Sequence, residues 1–354
     1  MEWLELPFHL VTPRQVLAAG FTLPLVCMVL VGLRVYVRKL QKTGLGIDDW
    51  LIAFGMLMIT GMGACLITGE RLGVMGYPTP VPDGTLASEA SRLFLEDFIL
   101  QAKIQFGMQF LMCFAYGFVK TSIVCFCRRI FVGHKGSAFD WASRAVLVLA
   151  ASWSIAFLMT LVFGCGKHVA LHWAPLQLVQ AQCDVSTPQQ AMVISDLILD
   201  LIILLLPLPS IWNLSMATER KLAVTGIFLV GMMSVVASIV RLAIYLTVLY
   251  KGYGAGYDIN RTATTMLWWS MLEGALAAIA ACLPTLSFLF KDVSVWQLFS
   301  RLRSISGLSG SWRLSGNDPN SREKFQPSLG GHSDAIGPVD SNVTNEQLVI
   351  NPSK

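Results

Sequence analysis

Charge is what this 354-residue sequence has least of. Asp, Glu, Lys and Arg make up only 14% of it, against about 25% in a soluble domain. Hydrophobic residues account for 54%, and mean hydropathy is +0.60. This excludes an ordinary soluble globule and describes a polytopic membrane protein. Histidine is scarce, with five residues, too few for the multi-histidine boxes of a membrane di-iron enzyme. No Gly-rich phosphate loop or nucleophile elbow occurs. Basic residues nowhere interleave with aromatics away from membrane flanks, so no nucleic-acid partner is expected. The expectation is a non-enzyme with no cofactor and no bound metal, whose first partner is the lipid bilayer.

What is present in quantity is long apolar runs. A helix needs about 20 mostly apolar residues to cross the hydrocarbon core. Seven segments qualify, near 16–37, 50–68, 98–126, 145–164, 190–212, 222–250 and 264–290. The first follows Glu2 and Glu5 rather than a basic stretch and so does not read as a cleavable signal. The predicted class is all-α, a seven-transmembrane helix bundle over 16–290. Basic residues favour one side of it, with Arg34, Arg38, Lys39 and Lys42 after helix one, Arg128, Arg129, Lys135 and Arg144 after helix three, and Arg220 and Lys221 after helix five. The basic side is expected to be cytoplasmic, putting the N-terminus outside and the C-terminus inside, in the plasma membrane.

Polar residues inside these runs fall on helical faces. Helix three carries Gln101, Gln105, Gln109, Met112, Tyr116 and Lys120 on one face, and helix five carries Asp196 and Asp200 one turn apart. Helix six carries Ser234, Ser238, Arg241 and Tyr245, and helix seven carries Trp269 and Glu273. Such stripes face the bundle or a wet cavity, because a charge in lipid costs several kcal/mol (~2.5 or more). Matched depth pairs Lys120 with Asp200 and Arg241 with Glu273, and leaves Asp196 without an evident partner, either protonated or at a wet outer mouth. Gln105, Gln109, Tyr116, Lys120, Asp196, Asp200, Arg241, Tyr245, Trp269 and Glu273 are the candidate ligand-binding residues. Packing alone is an equally weighted reading of the same pairs.

The order of short motifs carries a resemblance. "GIDDW" (46–50) opens helix two, where Asp48 and Asp49 can cap the first turn, and "FVKTSIVCFCRRIF" (118–131) closes helix three. "FGC" (163–165) ends helix four, with Trp173 and Cys183 following. "DLIILLLPLP" (200–209), "RKLAVTGIFLVG" (220–231) with "SIVRL" (238–242), and "LEGALAAIAACLPTL" (272–286) complete the series. The chain resembles the fungal rhodopsin-domain family of seven-helix, GPCR-like membrane proteins, some of which lie in secondary-metabolite gene clusters. The resemblance implies a receptor-like role, with an unknown extracellular small molecule as ligand and a cytoplasmic signalling protein as a further partner. Helix seven has no lysine for a retinal Schiff base, and helix three lacks an acidic-Arg-Tyr triplet. The leading expectation is therefore a sensor without retinal. The alternative is a transporter or accessory protein of a biosynthesis cluster.

Of eight cysteines, Cys165 and Cys183 flank the outer loop after helix four, an oxidising location that predicts a disulfide. The same loop holds His168 and His172, but the cysteines are better used in a bond than in a zinc site. A sequon at Asn260 faces outside and is expected to be glycosylated. Residues 1–15 form the extracellular N-terminus. Residues 291–305 carry Val295, Trp296, Phe299 and Leu302 on one face and are expected to lie on the inner leaflet. The Ser-, Gly- and Pro-rich residues 306–354 are expected to be a disordered cytoplasmic tail.

Overall fold

The apolar runs become seven helices in the structure, a computed structural model that describes residues 9–42, 44–78, 95–132, 136–166, 168–174, 179, 183–184, 186–209, 218–251 and 258–286. They are α1 (Pro13–Leu40), α2 (Ile47–Arg71), α3 (Leu95–Phe131), α4 (Ala138–Phe163), α5 (Ser186–Leu205), α6 (Thr218–Lys251) and α7 (Ile259–Leu286). All seven are long and apolar enough to cross a membrane, and no strand occurs among the described residues. A 3-10 turn, Val169–Trp173, lies between α4 and α5. Part of the N-terminus expected to be extracellular (1–8), the expected leaflet helix (291–305) and the expected tail (306–354) lie outside the described residues.

Most helices begin several residues before their apolar run, because polar groups cap the projecting turns. Pro13 opens α1 behind Thr12, whose amide donates to Gln15 Oε1 at 2.9 Å. Ser137 caps α4 by accepting the Asp140 amide at 3.2 Å. The far end of α5 is shorter than hydropathy implies. It stops at Leu205, and the chain turns at Leu206 and Pro207, where the proline lacks an amide hydrogen and crowds the preceding turn.

Each helix packs on its chain neighbours, and α7 closes the ring on α1. α3 also reaches α5 and α7, so α3 and α7 form the centre. Successive helices run antiparallel. α1, α3, α5 and α7 therefore start at one end, termed here the N-terminal end, where the Val11 amide donates to Thr265 Oγ1 at 3.1 Å and Gln101 Nε2 to the Asn260 carbonyl at 3.4 Å. Glycines bring α1 and α2 into close contact. A Cβ on Gly63 would lie 2.6 Å from the Gly20 carbonyl oxygen, so only hydrogen fits there. Large apolar side chains of α1 (Phe21, Leu25, Val29) and α4 (Val148, Ile155) point outward and exposed, which is what a lipid-facing surface requires.

Candidate functional site

Five ionisable side chains meet in the middle of the bundle. Asp196 is 0% exposed and lies at the centre. One of its oxygens pairs with Lys120 of α3 and the other with Arg241 of α6. Lys120 Nζ also holds Asp200 Oδ1 at 2.7 Å, and Arg241 Nη1 holds Glu273 Oε2 at 3.2 Å. Both expected pairs are thus present, but the expectation of an unpartnered or mouth-facing Asp196 is wrong. Asp196 accepts from both cations and joins the two pairs into one network across α3, α5, α6 and α7. The reason is geometric: the planar Arg241 fork presents separate donors to two carboxylates on different helices.

Hydroxyls and rings complete the shell. Ser238 Oγ lies 2.9 Å from Asp200 Oδ2 and 2.7 Å from Glu273 Oε1. The Tyr116 hydroxyl donates to the Ser270 carbonyl at 2.8 Å, lies 3.1 Å from Glu273 Oε2 and receives Arg241 Nη1 at 3.2 Å. The ring of Tyr116 stacks on Trp153, with Lys120 Nζ 5.2 and 5.4 Å from the two ring centroids. Trp153 is fixed in turn by its Nε1–H, which donates to Ser195 Oγ at 2.8 Å. Oxygens of Asp196, Asp200 and Glu273 lie within 4.8 Å of one another, close enough to share a metal ion. In this arrangement an ammonium and a guanidinium already take the cation's place. Retinal does not fit as a Schiff-base cofactor, because α7 has no lysine and Lys120 is held by two carboxylates.

The remaining candidates sit nearer the N-terminal end. Gln109, on the same helix as Tyr116 and Lys120, lines a cavity of about 60 Å³ together with Phe157, His172, Gln189 and Met192. That is room for about two waters at ~30 Å³ each. Gln109 Nε2 donates to Gln189 Oε1 at 3.4 Å, and His172 Nε2 is buried with no partner. Burial holds the His172 imidazole below its ordinary pKa. The Tyr245 hydroxyl donates to the Ser186 carbonyl at 2.8 Å. Gln105 and Trp269 are half-buried, and Trp269 packs edge-on against Trp268.

The loop after α4 walls this cavity. Cys165 and Cys183 are joined in a disulfide, with Cα atoms 4.9 Å apart, as expected. His172 packs on Phe106 of α3, with ring centroids 5.2 Å apart. Asp184 caps the entry to α5. Hydrogen bonds from the Thr187 side chain and amide and from the Ser186 hydroxyl hold its carboxyl below the ordinary value. Asn260 departs from expectation. It lies in the first turn of α7, is 6% exposed, and has its Oδ1 buried, which is at odds with a glycan there.

A second ion cluster, at the opposite end, escaped the sequence reading. Arg34 is 0% exposed inside α1. It donates to Asp48 Oδ2 at 2.6 Å, to Asp49 Oδ1 at 2.8 Å and to the Ala281 carbonyl of α7. Arg38 and Arg129 also reach Asp48, at 3.2 and 3.4 Å. Only Asp49 acts partly as the expected cap, accepting the Gly46 amide at 3.0 Å. Asp48 is an ion-pair residue. The signal was the presence of two acids opening α2 directly after two arginines one turn apart at the end of α1.

Fold and site together define a multi-pass, seven-helix membrane protein with a charged, hydrogen-bonded interior. Residues 33–292 match the family described as the fungal rhodopsin domain, and the chain belongs to that family. It is 22% identical to "Phomoidride biosynthesis cluster protein H" of a fungal species over 81% of this chain and 92% of that protein. It is 26% identical to "Fugralins biosynthesis cluster protein 2" of Gibberella zeae over 64% of this chain and 54% of that protein. A shorter stretch, 27% of this chain and 22% of its relative, is 31% identical to a "SAT4 family membrane protein" of Emericella nidulans. No solved structure matches the chain.

Proposed function

We propose that this protein is a non-enzymatic, GPCR-like sensor of an extracellular small molecule, working without retinal in the plasma membrane. The observation that carries the reading is the continuity of α3. Gln109 lines the cavity at the N-terminal end, and Tyr116 and Lys120, two and three turns further on, hold the ion network. A molecule filling the cavity would press on a helix whose position is tied to α5, α6 and α7. The orientation is supported from both ends. The disulfide belongs to an oxidising compartment, and the Arg34, Arg38, Arg128 and Arg129 end carries the basic excess of a cytoplasmic face. The cavity lining is mainly apolar, with amide, hydroxyl and imidazole groups and one carboxylate, Asp184, which fits a mostly apolar, hydroxyl-bearing ligand.

The test is a thermal-shift screen of the protein in lipid nanodiscs against small oxygenated molecules. A ligand at 100 times its Kd stabilises by about 2.7 kcal/mol. That shift should vanish in Met192→Phe, which fills the cavity, and weaken in Gln109→Leu, but survive in Lys103→Ala on the exposed face of α3. A hit indifferent to both cavity variants would remove the cavity from the reading. A second reading, a transporter or accessory protein in secondary metabolism, is supported by the biosynthesis-cluster names of the relatives. Flux of the hit across proteoliposomes would favour it over sensing.

A further inference from the structure

The interior network does not balance. Asp196, Asp200 and Glu273 supply three carboxylates, while Lys120 and Arg241 supply two cations. With every group ionised, one negative charge is left over at a site where Asp196 is 0% and Glu273 1% exposed. A lone buried charge is far costlier than a neutral acid.

The hydroxyl of Ser238 says where the missing positive charge sits. Its oxygen lies 2.7 Å from Glu273 Oε1, 2.9 Å from Asp200 Oδ2 and 3.1 Å from the Ser234 carbonyl. All three are acceptors when the acids are ionised, and a serine hydroxyl has one hydrogen to give. At least one of the two carboxylate contacts therefore lacks a proton unless a carboxyl group supplies it. The shorter contact has the length of an ordinary O–H···O hydrogen bond, and it belongs to Glu273. Asp200 is the poorer choice, because the Lys120 ammonium, 2.7 Å from its Oδ1, already stands against it as a counter-charge. Tyr116 points the same way. Its hydrogen is used on the Ser270 carbonyl at 2.8 Å, so it has none to give Glu273 Oε2, 3.1 Å away.

We propose that Glu273 is a neutral acid that donates from Oε1 to Ser238, which donates in turn to Asp200, so that the cluster binds one exchangeable proton. The groups facing this proton are Tyr116 and Lys120 from α3, Asp196 and Asp200 from α5, and Ser234, Ser238 and Arg241 from α6. From α1, the Cys27 thiol reaches the Ala275 carbonyl at 3.8 Å. Because the Glu273–Ser238–Asp200 chain joins α5, α6 and α7, any rearrangement that parts these helices leaves Glu273 free to release its proton. The inference stands whether or not the protein is a sensor.

Infrared difference spectroscopy of the full chain in nanodiscs at pH 8 reads the proton directly, since surface carboxylates are ionised there. The expected result is a protonated-carboxyl C=O band that shifts in heavy water and disappears in Glu273→Gln. That variant mimics the neutral acid and should keep the wild-type thermal midpoint. Ser238→Ala, which removes the hydroxyl that accepts from Glu273 and donates to Asp200, should keep the band and move it to higher frequency. Absence of the band in the wild type would overturn the proposal, as would its persistence in Glu273→Gln. Stabilisation by sodium over potassium without an acid band would assign the balancing charge to a metal cation instead.

Discussion

Replacing Arg34 by Met should loosen the end of α7 opposite the N-terminal end. The side chain is fully buried and serves three acceptors on two other helices, Asp48, Asp49 and the Ala281 carbonyl. Its guanidinium also lies 5.3 Å from the Phe126 ring centroid. Breaking a buried pair by removing one partner costs about 3–5 kcal/mol. Here the loss belongs at the lower end, about 3 kcal/mol, because Arg38 still reaches both aspartates, at 3.2 and 3.6 Å, and Arg129 still reaches Asp48. Arg34→Lys keeps the charge but not the fork, so it should lose about 1–2 kcal/mol through the unmade bonds. Cys282, next to Ala281 and 0% exposed, is the natural reporter. In a background where it is the sole free cysteine, its labelling by a thiol reagent should proceed about 100-fold faster in Arg34→Met, the factor corresponding to that free energy when labelling requires opening. The thermal midpoint should fall in the order wild type, Arg34→Lys, Arg34→Met. Unchanged midpoints with unchanged Cys282 labelling would show that Arg34 does not hold α7.

Asp196→Asn should lower thermal stability more than Asp200→Asn, by about 3 against about 1 kcal/mol, because Asp196 serves both cations and Asp200 only Lys120; equal losses would contradict the central placement of Asp196. Cys165→Ser or Cys183→Ser should each cost about 3 kcal/mol for a bridge closing a loop of this length, with a reductant producing the same fall in the wild-type midpoint and none in either variant. His172 is held below its ordinary pKa by burial, so protonation favours the unfolded chain. Its contribution should be fully retained above pH ~6.5 and decline as the pH falls below that value, and His172→Gln should flatten that slope in a pH series of thermal midpoints.

The helices and the disulfide were legible because each rests on a short-range signal. Apolar length fixes a spanning helix, and only Cys165 and Cys183 flank the outer loop after helix four. The helical faces of Lys120, Asp200, Arg241 and Glu273 were legible for the same reason, since periodicity and depth are read along one chain. Asp196 was misjudged because its partners depend on how α5 turns relative to α3 and α6, which periodicity does not contain. Asp48 resembled a cap because its spacing from the start of α2 satisfies the capping rule. Its actual partner, Arg34, reads in the sequence as a flank charge setting orientation. Asn260 shows the limit of a local motif: three residues define a sequon, but burial at the α7 entrance is a property of the packed bundle.

The two ion clusters also explain how α7 is held without an apolar stripe. A helix enclosed by α1, α2, α3 and α6 meets protein on every side, so hydrophobicity gives it no preferred rotation. Its charged and carbonyl contacts do. Glu273 fixes it to Arg241 and Ser238, and the Ala281 carbonyl fixes it to Arg34, about 12 Å further along the axis at ~1.5 Å per residue. Pro284 lies just beyond the second anchor, inside the helix. The amide it lacks would have bonded the Ala280 carbonyl, one residue before the carbonyl that accepts from Arg34. The helix can therefore be rigid between its anchors and still bend beyond them, and a disturbance at Glu273 can reach the opposite end of the bundle by acting on the Arg34 contact.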